Sequence, residues 1–140
     1  MAEVGCPACV ELTIPCRPEY VGVARLAILG VASRMKFSYD EVEDVRLAVG
    51  EACTTAVEWA ERNGNSDSHI VLRSEIGSDK LTIDIYDAAG PRADRSQADV
   101  SEQESENLGA LLITLLVDDI KVQPEGKGTH VRMVKYAGQQ

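Results

Sequence analysis

The segment VRLAVGEACTTAVEWA, residues 45–60, places a carboxylate and a hydroxyl at helical spacing. Glu51 and Thr55 are four residues apart, so on an α-helix their side chains lie on one face, a turn apart. A carboxylate held in this way can act as a general base, and a neighbouring oxygen can ligate a metal ion. The alternative interpretation is that Glu51 is an ordinary helix carboxylate that faces water.

The helix that would carry these two residues has a start, an end and a core face in the sequence. The run SYDE, residues 38–41, is typical of a capping box, in which Ser38 accepts from the amide of Glu41 and Glu41 reaches back. The glycine in NGN, residues 63–65, predicts that the helix ends near Arg62. Apolar residues three and four apart predict the core face, formed by Val42, Val45, Val49, Ala52 or Cys53, Ala56 and Ala60.

The other patterns predict a single domain over residues 10–137, preceded by a flexible tail at residues 1–9. Alternation of apolar and polar residues predicts five strands, in VELTIP, HIVLRSEI, KLTIDIY, DIKVQ and THVRMVKY. Apolar runs predict helices over residues 19–35 and 108–117. The segment 88–107 is polar nearly throughout and is predicted to be a loop or a mobile lid. The predicted order is therefore β–α–α–β–β–loop–α–β–β.

The charge and hydropathy of the chain exclude several classes of protein. The 140 residues include 14 Lys and Arg against 23 Asp and Glu, a formal net charge of −9. With no basic run to neutralise phosphates, the chain is not expected to bind nucleic acid directly. It has no apolar run of about 20 residues that would span a membrane, and no signal peptide is recognised at its start. We expect a cytoplasmic protein with no membrane partner.

Cys6 and Cys9 form a lone Cys-x-x-Cys motif near the start of the chain. Such a pair could be half of a zinc site or a redox dithiol. A structural zinc ion needs about four protein ligands, and neither Cys16 nor the two histidines lie at ligand spacing. The alternative, reduced cysteines in a flexible tail, requires no further partner.

Three segments together resemble a known family: RPEYVGVARLAILGVASRM, SYDEVEDVRLAVGEACT and the VKY near the end. They resemble the anti-sigma factors with serine-kinase activity of the bacterial general stress response, the RsbW type, over residues 11–136. These belong to the GHKL ATPase superfamily. The resemblance implies an α+β fold, a two-layer sandwich in which a mixed sheet is covered on one face by helices. It also implies that ATP and Mg²⁺ bind between the sheet and the lid.

The resemblance assigns roles to the helix residues. Glu51 matches the family's general base, and Ala52, Cys53, Thr54 and Ala56 match the residues around it. The family's Mg²⁺-binding Asn is Thr55 here, a shorter ligand. The resemblance therefore implies a retained base and a weakened metal site.

The resemblance also assigns the nucleotide-binding residues. Asp87 matches the acceptor for the adenine amino group, with Gly90 one residue later than in the family, although Asp87 could equally be a turn residue that ends a strand. Gly109 matches the last glycine of a phosphate-cradling box. Two glycines of that box are replaced by Glu106 and Asn107. Thr129 matches a residue at the adenine end. These changes predict that binding of Mg-ATP is weakened or lost.

The helix predicted at residues 19–35 is apolar almost all round, so it is either deeply buried or covered by a partner. In a chain this short we expect a partner or a second copy of the chain to cover part of it. The predicted interface residues are Arg17, Tyr20, Arg25, Leu29 and Arg34.

The sequence leaves three functions open. The first is an anti-sigma-type regulator that binds a sigma factor, an anti-sigma antagonist or both, with weakened or lost kinase activity. The second is an active serine-protein kinase, and the third is an unrelated protein-binding module.

Overall fold

The computed structural model of the protein describes residues 8–92 and 100–138. Five strands are present in this part of the chain: β1 Ala8–Pro15, β2 His69–Ile76, β3 Lys80–Asp87, β4 Asp119–Glu125 and β5 Gly128–Tyr136. Three α-helices accompany them: α1 Val21–Ala32, α2 Tyr39–Asn63 and α3 Val100–Leu116, with a 3₁₀ turn at Pro18–Tyr20. The predicted order of strands and helices is confirmed.

The five strands form one sheet in the order β1-β2-β3-β5-β4. Each of its four pairings is antiparallel, so the mixed sheet implied by the resemblance is wrong for the described residues. The reason lies in the strand order. β4 runs in the same direction as β3, but β5 lies between them, and β2 likewise separates β1 from β3. Strands of equal direction are therefore never neighbours.

Helix α2 begins and ends as its sequence predicts. Oγ of Ser38 accepts from the amide of Glu41 at 3.1 Å, and Oε1 of Glu41 accepts from the amide of Ser38 at 2.7 Å. The helix ends at Gly64, whose φ of 70° is left-handed. Six residues of the predicted core face are buried: Val45, Val49, Ala52, Cys53, Ala56 and Ala60. No helix in the described ranges is long and apolar enough to cross a membrane.

Helix α3 is longer than predicted. Its first residue is Val100, eight residues before the predicted start at Leu108. The prediction of a loop through Asn107 is therefore wrong for residues 100–107, whereas residues 93–99 lie outside the described part of the chain. The segment SEQESEN has no apolar periodicity, but extending an existing helix costs far less than starting a new one. Acidic residues in the first turns of a helix also favour its dipole.

The sheet face away from the helices carries a charged cluster centred on Asp84 of β3. Oδ1 of Asp84 lies 2.7 Å from Nε2 of His130, and Nε of Arg132 donates to it at 2.8 Å. Asp84 is 0% exposed, and the ring of Tyr86 stacks on that of His130 with centroids 4.3 Å apart. Burial alone would raise the pKa of Asp84, but the hydrogen bonds from Arg132 and His130 and the charge of Arg132 lower it below its usual value.

We expect Asp84→Asn to lower the free energy of unfolding by about 1.5–3 kcal/mol, because it removes the charge from hydrogen bonds that join β3 to β5. Since folding lowers the pKa of Asp84, its contribution is present above the unfolded pKa of about 3.9 and is lost as the pH falls through the folded value. Urea unfolding of both proteins at neutral and acid pH measures this. The difference between them should shrink at low pH.

The matched control for this prediction is Asp67→Asn. Asp67 pairs with Arg17 at 3.0 Å, but its side chain is 99% exposed. An exposed pair of this kind contributes little, so the control should keep the wild-type midpoint. Equal effects of the two substitutions would contradict the stabilising role of the Asp84 cluster.

Candidate functional site

Glu51 lies at the contact between α2 and α3. An ideal Cβ built on Gly109 would lie 3.5 Å from Oε2 of Glu51, so α3 passes beside this carboxylate. Further along, Nζ of Lys135 donates to the carbonyl of Leu116 at 2.8 Å and to Oδ2 of Asp44 at 3.4 Å. Asp44 on α2 therefore lies near Leu116 on α3, and Glu51 lies near Gly109. Because the residue numbers rise along one helix and fall along the other, the two helices run antiparallel. The half-buried Glu51 is held at a helix seam, next to the residue that the resemblance places at the phosphates.

Thr55 uses its hydroxyl within its own helix. Oγ1 of Thr55 donates to the carbonyl of Glu51 at 3.0 Å, a contact that holds the side chain against α2. Within the described residues no group of three or more His, Cys, Asp or Glu side chains could hold a metal ion. In this structure the hydroxyl that the resemblance aligns with the family's Mg²⁺-binding Asn is engaged within α2.

Gly109 is the tenth residue of α3, well inside the helix. Only the first four amides of an α-helix lack a partner in the helix and can donate to an anion. The amide of Gly109 is beyond these four. The helix start predicted just before it, which would have formed the phosphate cradle, is absent from this conformation.

The residues predicted at the adenine end do come together. Asp87 ends β3 and pairs in register with Thr129 of β5. Both are buried, and the side chain of Asp87 is only 2% exposed. Oδ1 of Asp87 accepts from the amide of Ala89 at 3.0 Å, and Nη2 of Arg92 lies 3.5 Å from Oδ2. A carboxylate fixed in this way can accept further hydrogen bonds from a base amino group.

The turn after Asp87 is held by two asparagines that sequence reasoning missed. Gly90 has a φ of 100°, and its amide donates to the carbonyl of Lys127 at 2.8 Å. Nδ2 of Asn63 donates to the carbonyls of Ala89 at 3.0 Å and Pro91 at 2.9 Å. Nδ2 of Asn65 donates to the same Ala89 carbonyl at 3.1 Å. The sequence signal was NGN at residues 63–65. It predicted a helix end, but not that the side-chain amides of its two asparagines hold the turn after Asp87.

A cavity of about 640 Å³ opens beside this turn. It is lined by Asn65, Gly90 and Arg92, and by residues of the β4–β5 hairpin that include Lys127 and Thr129. Glu51, Thr55 and Gly109 do not line it. Asp87 does not line it either, so among the predicted adenine-end residues only Gly90 and Thr129 border the cavity.

The cysteines do not form a reactive centre within the described residues. Cys16 and Cys53 are fully buried. Burial raises the pKa of Cys53 to about 12, with a smaller contribution from the nearby Cys16. The thiol of Cys53 therefore stays protonated and unreactive at neutral pH. Cys9 is exposed on β1, and Cys6 lies outside the described residues. The metal or redox function of the Cys-x-x-Cys pair stays untested.

The predicted partner interface is divided between the surface and the interior of the fold. Arg17 and Arg34 are exposed, Tyr20 is 38% exposed, and Leu29 is half-buried. Arg25 packs over Gly50 of α2, where an ideal Cβ would lie 2.8 Å from its Cζ. Five residues of α1 face the core: Val21, Ala24, Ile28, Val31 and Ala32. The helix therefore has one covered and one open face, and its role as an interface stays a prediction.

Comparison with known proteins identifies the relatives of the chain. The model of the histidine kinase-like ATPase domain matches residues 14–135. The serine-protein kinase RsbW of Bacillus velezensis is 39% identical, and that of Bacillus subtilis 37%, each over 91% of this chain and 84% of the relative. The RsbW of Listeria monocytogenes is 35% identical over 91% of this chain and 86% of its own length. The chain therefore belongs to the histidine kinase-like ATPase family, among the relatives of the RsbW serine-protein kinases.

Proposed function

We propose that this protein is a nucleotide-binding regulator of the anti-sigma type, with serine-kinase activity that is weakened or lost. It would bind a sigma factor, an anti-sigma antagonist or both, and act as a homodimer. The relatives are named serine-protein kinases, which supports a kinase ancestor. One observation carries the proposal. Asp87 and Thr129, which match the adenine end, or base end, lie together in the sheet. Thr55 is bonded within its own helix and Gly109 lies inside α3, so nothing in this conformation of the described residues supports a metal ligand or a phosphate cradle there.

The base end fits adenine. Asp87 would accept from the amino group of the base, and Thr129 beside it offers a hydroxyl for a second contact. Asn63 and Asn65 hold the turn that positions the Asp87 carboxylate. When bound, ATP would supply a transferable phosphoryl group. The part of the chain that would hold that group has a back-bonded Thr55 and the helical Gly109.

An active serine-protein kinase is the second candidate, and Glu51 favours it. Its carboxylate is half-buried at the α2–α3 seam, adjacent to Gly109, which suits a general base near transferred phosphate. Transfer of labelled phosphate to an antagonist protein separates the two candidates. The third function, an unrelated binding module, is wrong, because the chain belongs to the ATPase family.

The first test of the proposal is titration with adenosine, AMP, ADP and ATP, each with and without Mg²⁺. We expect all four to bind weakly and with affinities that agree within about threefold, because only the base end makes contacts and a threefold change is less than 1 kcal/mol. Mg²⁺ should not change these affinities, and Thr55→Asn alone should not make ATP bind tightly. Calorimetry measures each of these values.

Tight binding of ATP that depends on Mg²⁺ would contradict a lost phosphate end and support the active kinase. Asp87→Asn is the control for the base end, and it should abolish binding of all four ligands alike. The regulatory role is tested separately, by the binding of purified candidate sigma factors and antagonists to the wild-type chain. No binding to either class would contradict the anti-sigma assignment whatever the nucleotide result.

A further inference from the structure

Helix α3 has two apolar faces, of which the domain covers one. Ile113 and Val117 are buried on the side that packs into the fold. Four leucines on another side are exposed by between 39% and 73%: Leu108, Leu111, Leu112 and Leu115. Their spacing of three, one and three residues places them on one continuous face of the helix. This leucine face has no cover within the described residues.

Single exposed apolar side chains are normal on a protein surface, but a continuous stripe of four leucines is not. Helix α1 provides the comparison, since its described exposed large apolar side chains are Val23 at 44% and Leu26 at 70%. The leucine face of α3 is larger and follows the spacing with which one helix packs on another. Its geometry suits a second helix laid along it.

The charge around the leucine face indicates what kind of helix would fit. The seventeen residues of α3, VSEQESENLGALLITLL, contain three glutamates and no lysine or arginine. Asp118 and Asp119 follow after Val117 and are exposed. A second copy of this face would bring the same negative charges together, and each chain has a net charge of −9. A basic partner is therefore favoured over self-association.

We propose that the leucine face of α3 is a docking site for a basic amphipathic helix of a protein partner. The partner's apolar residues would cover the four leucines, and its Lys or Arg residues would be attracted to the acidic residues of α3 and to Asp118 and Asp119. A neighbouring side of α3 passes Glu51 at Gly109. The leucine face therefore does not include Glu51 or Gly109, although Leu108 at its start adjoins the segment that the resemblance places at the phosphates.

A labelled amphipathic peptide of about 18 residues, made of Leu and Lys at helical spacing, tests this proposal by fluorescence anisotropy. The double variant Leu111→Ser, Leu115→Ser should bind it at least about tenfold more weakly than wild type, because two apolar contacts are lost. The matched control Val23→Ser, Leu26→Ser removes two exposed apolar residues from α1 and should bind like wild type. A peptide with Glu in place of Lys should not bind.

Three results would overturn the proposal. The first is equal binding of the basic peptide by the α3 and α1 variants, and the second is no binding by the wild type. The third comes from sedimentation. A wild-type dimer that dissociates in the Leu111→Ser, Leu115→Ser variant would show that a second copy occupies the face. Thermal unfolding of all variants checks that the exposed substitutions leave the fold intact.

Discussion

Replacing Gly128 by alanine is expected to lower the free energy of unfolding by about 3 kcal/mol, near the upper end of the usual range for overpacking. Gly128 is the first residue of β5 and lies against the end of β3. An ideal Cβ at this position would lie 2.6 Å from the carbonyl carbon of Asp87 and would overlap its oxygen. These are backbone atoms of a paired strand and cannot turn aside. The two strands would have to separate at the pair of Asp87 and Thr129.

Two other glycines serve as controls for this result, and urea unfolding measures all three variants. At Gly50 an ideal Cβ would meet the flexible end of Arg25, which can move, so Gly50→Ala should have little effect. At Gly30, in α1, nothing lies within 4 Å, and Gly30→Ala should stabilise the protein by about 1 kcal/mol. A Gly128→Ala protein with the wild-type midpoint would show that the strands can separate at no cost.

Much of the fold could be predicted because its signals are local. The capping box from Ser38 to Glu41 and the left-handed Gly64 act on adjacent backbone groups, so the sequence alone indicates both ends of α2. The hairpin of β2 and β3 follows likewise from alternating residues around a short turn. The start of α3 could not be predicted in this way, because residues before Leu108 become helical as an extension of the apolar part that follows.

The candidate site was predictable only in part, since the contact of Asp87 with Thr129 depends on strand register. The family motif pointed to Asp87 and Thr129, but their contact exists because β3 pairs with β5 across 42 residues of chain. No local pattern indicates that Gly128 must lack a side chain there, or that Asn63 supports the turn. The Asp84 cluster has the same origin, because its partners lie on a strand whose position the sequence does not reveal.

The differences between this chain and the family motif suggest that the phosphate end can be rebuilt. Its three departures from the family are Thr55, Glu106 and Asn107, and the latter two lie within the helical part of α3. Glycine at both positions would cost the helix roughly 1 kcal/mol each and favour a helix start near Gly109. The amides there would then be free to bind an anion, and the negative charge of Glu106 would be gone.

The triple variant Thr55→Asn, Glu106→Gly, Asn107→Gly is expected to bind Mg-ATP roughly a hundredfold more tightly than wild type and adenosine equally well. A helix N-terminus and one hydrogen bond to a charged group contribute together about 3 kcal/mol, which corresponds to that factor. Calorimetry with both ligands measures it, and Thr55→Asn alone should show no gain.

Adding Glu51→Gln to the triple variant separates binding from chemistry. The amide keeps the shape of the carboxylate but cannot accept the proton of an attacking hydroxyl, so Mg-ATP affinity should persist while phosphate transfer to an antagonist falls by about 10²–10⁴-fold. Glu58→Gln, an exposed carboxylate two turns further along α2, is the matched control and should leave transfer unchanged. If the triple variant bound Mg-ATP no better than wild type, the three departures would not explain the weak phosphate end. The helical form of residues 100–107 would then have to persist for a reason other than the residues at positions 106 and 107, because glycine at both would have failed to release the amides.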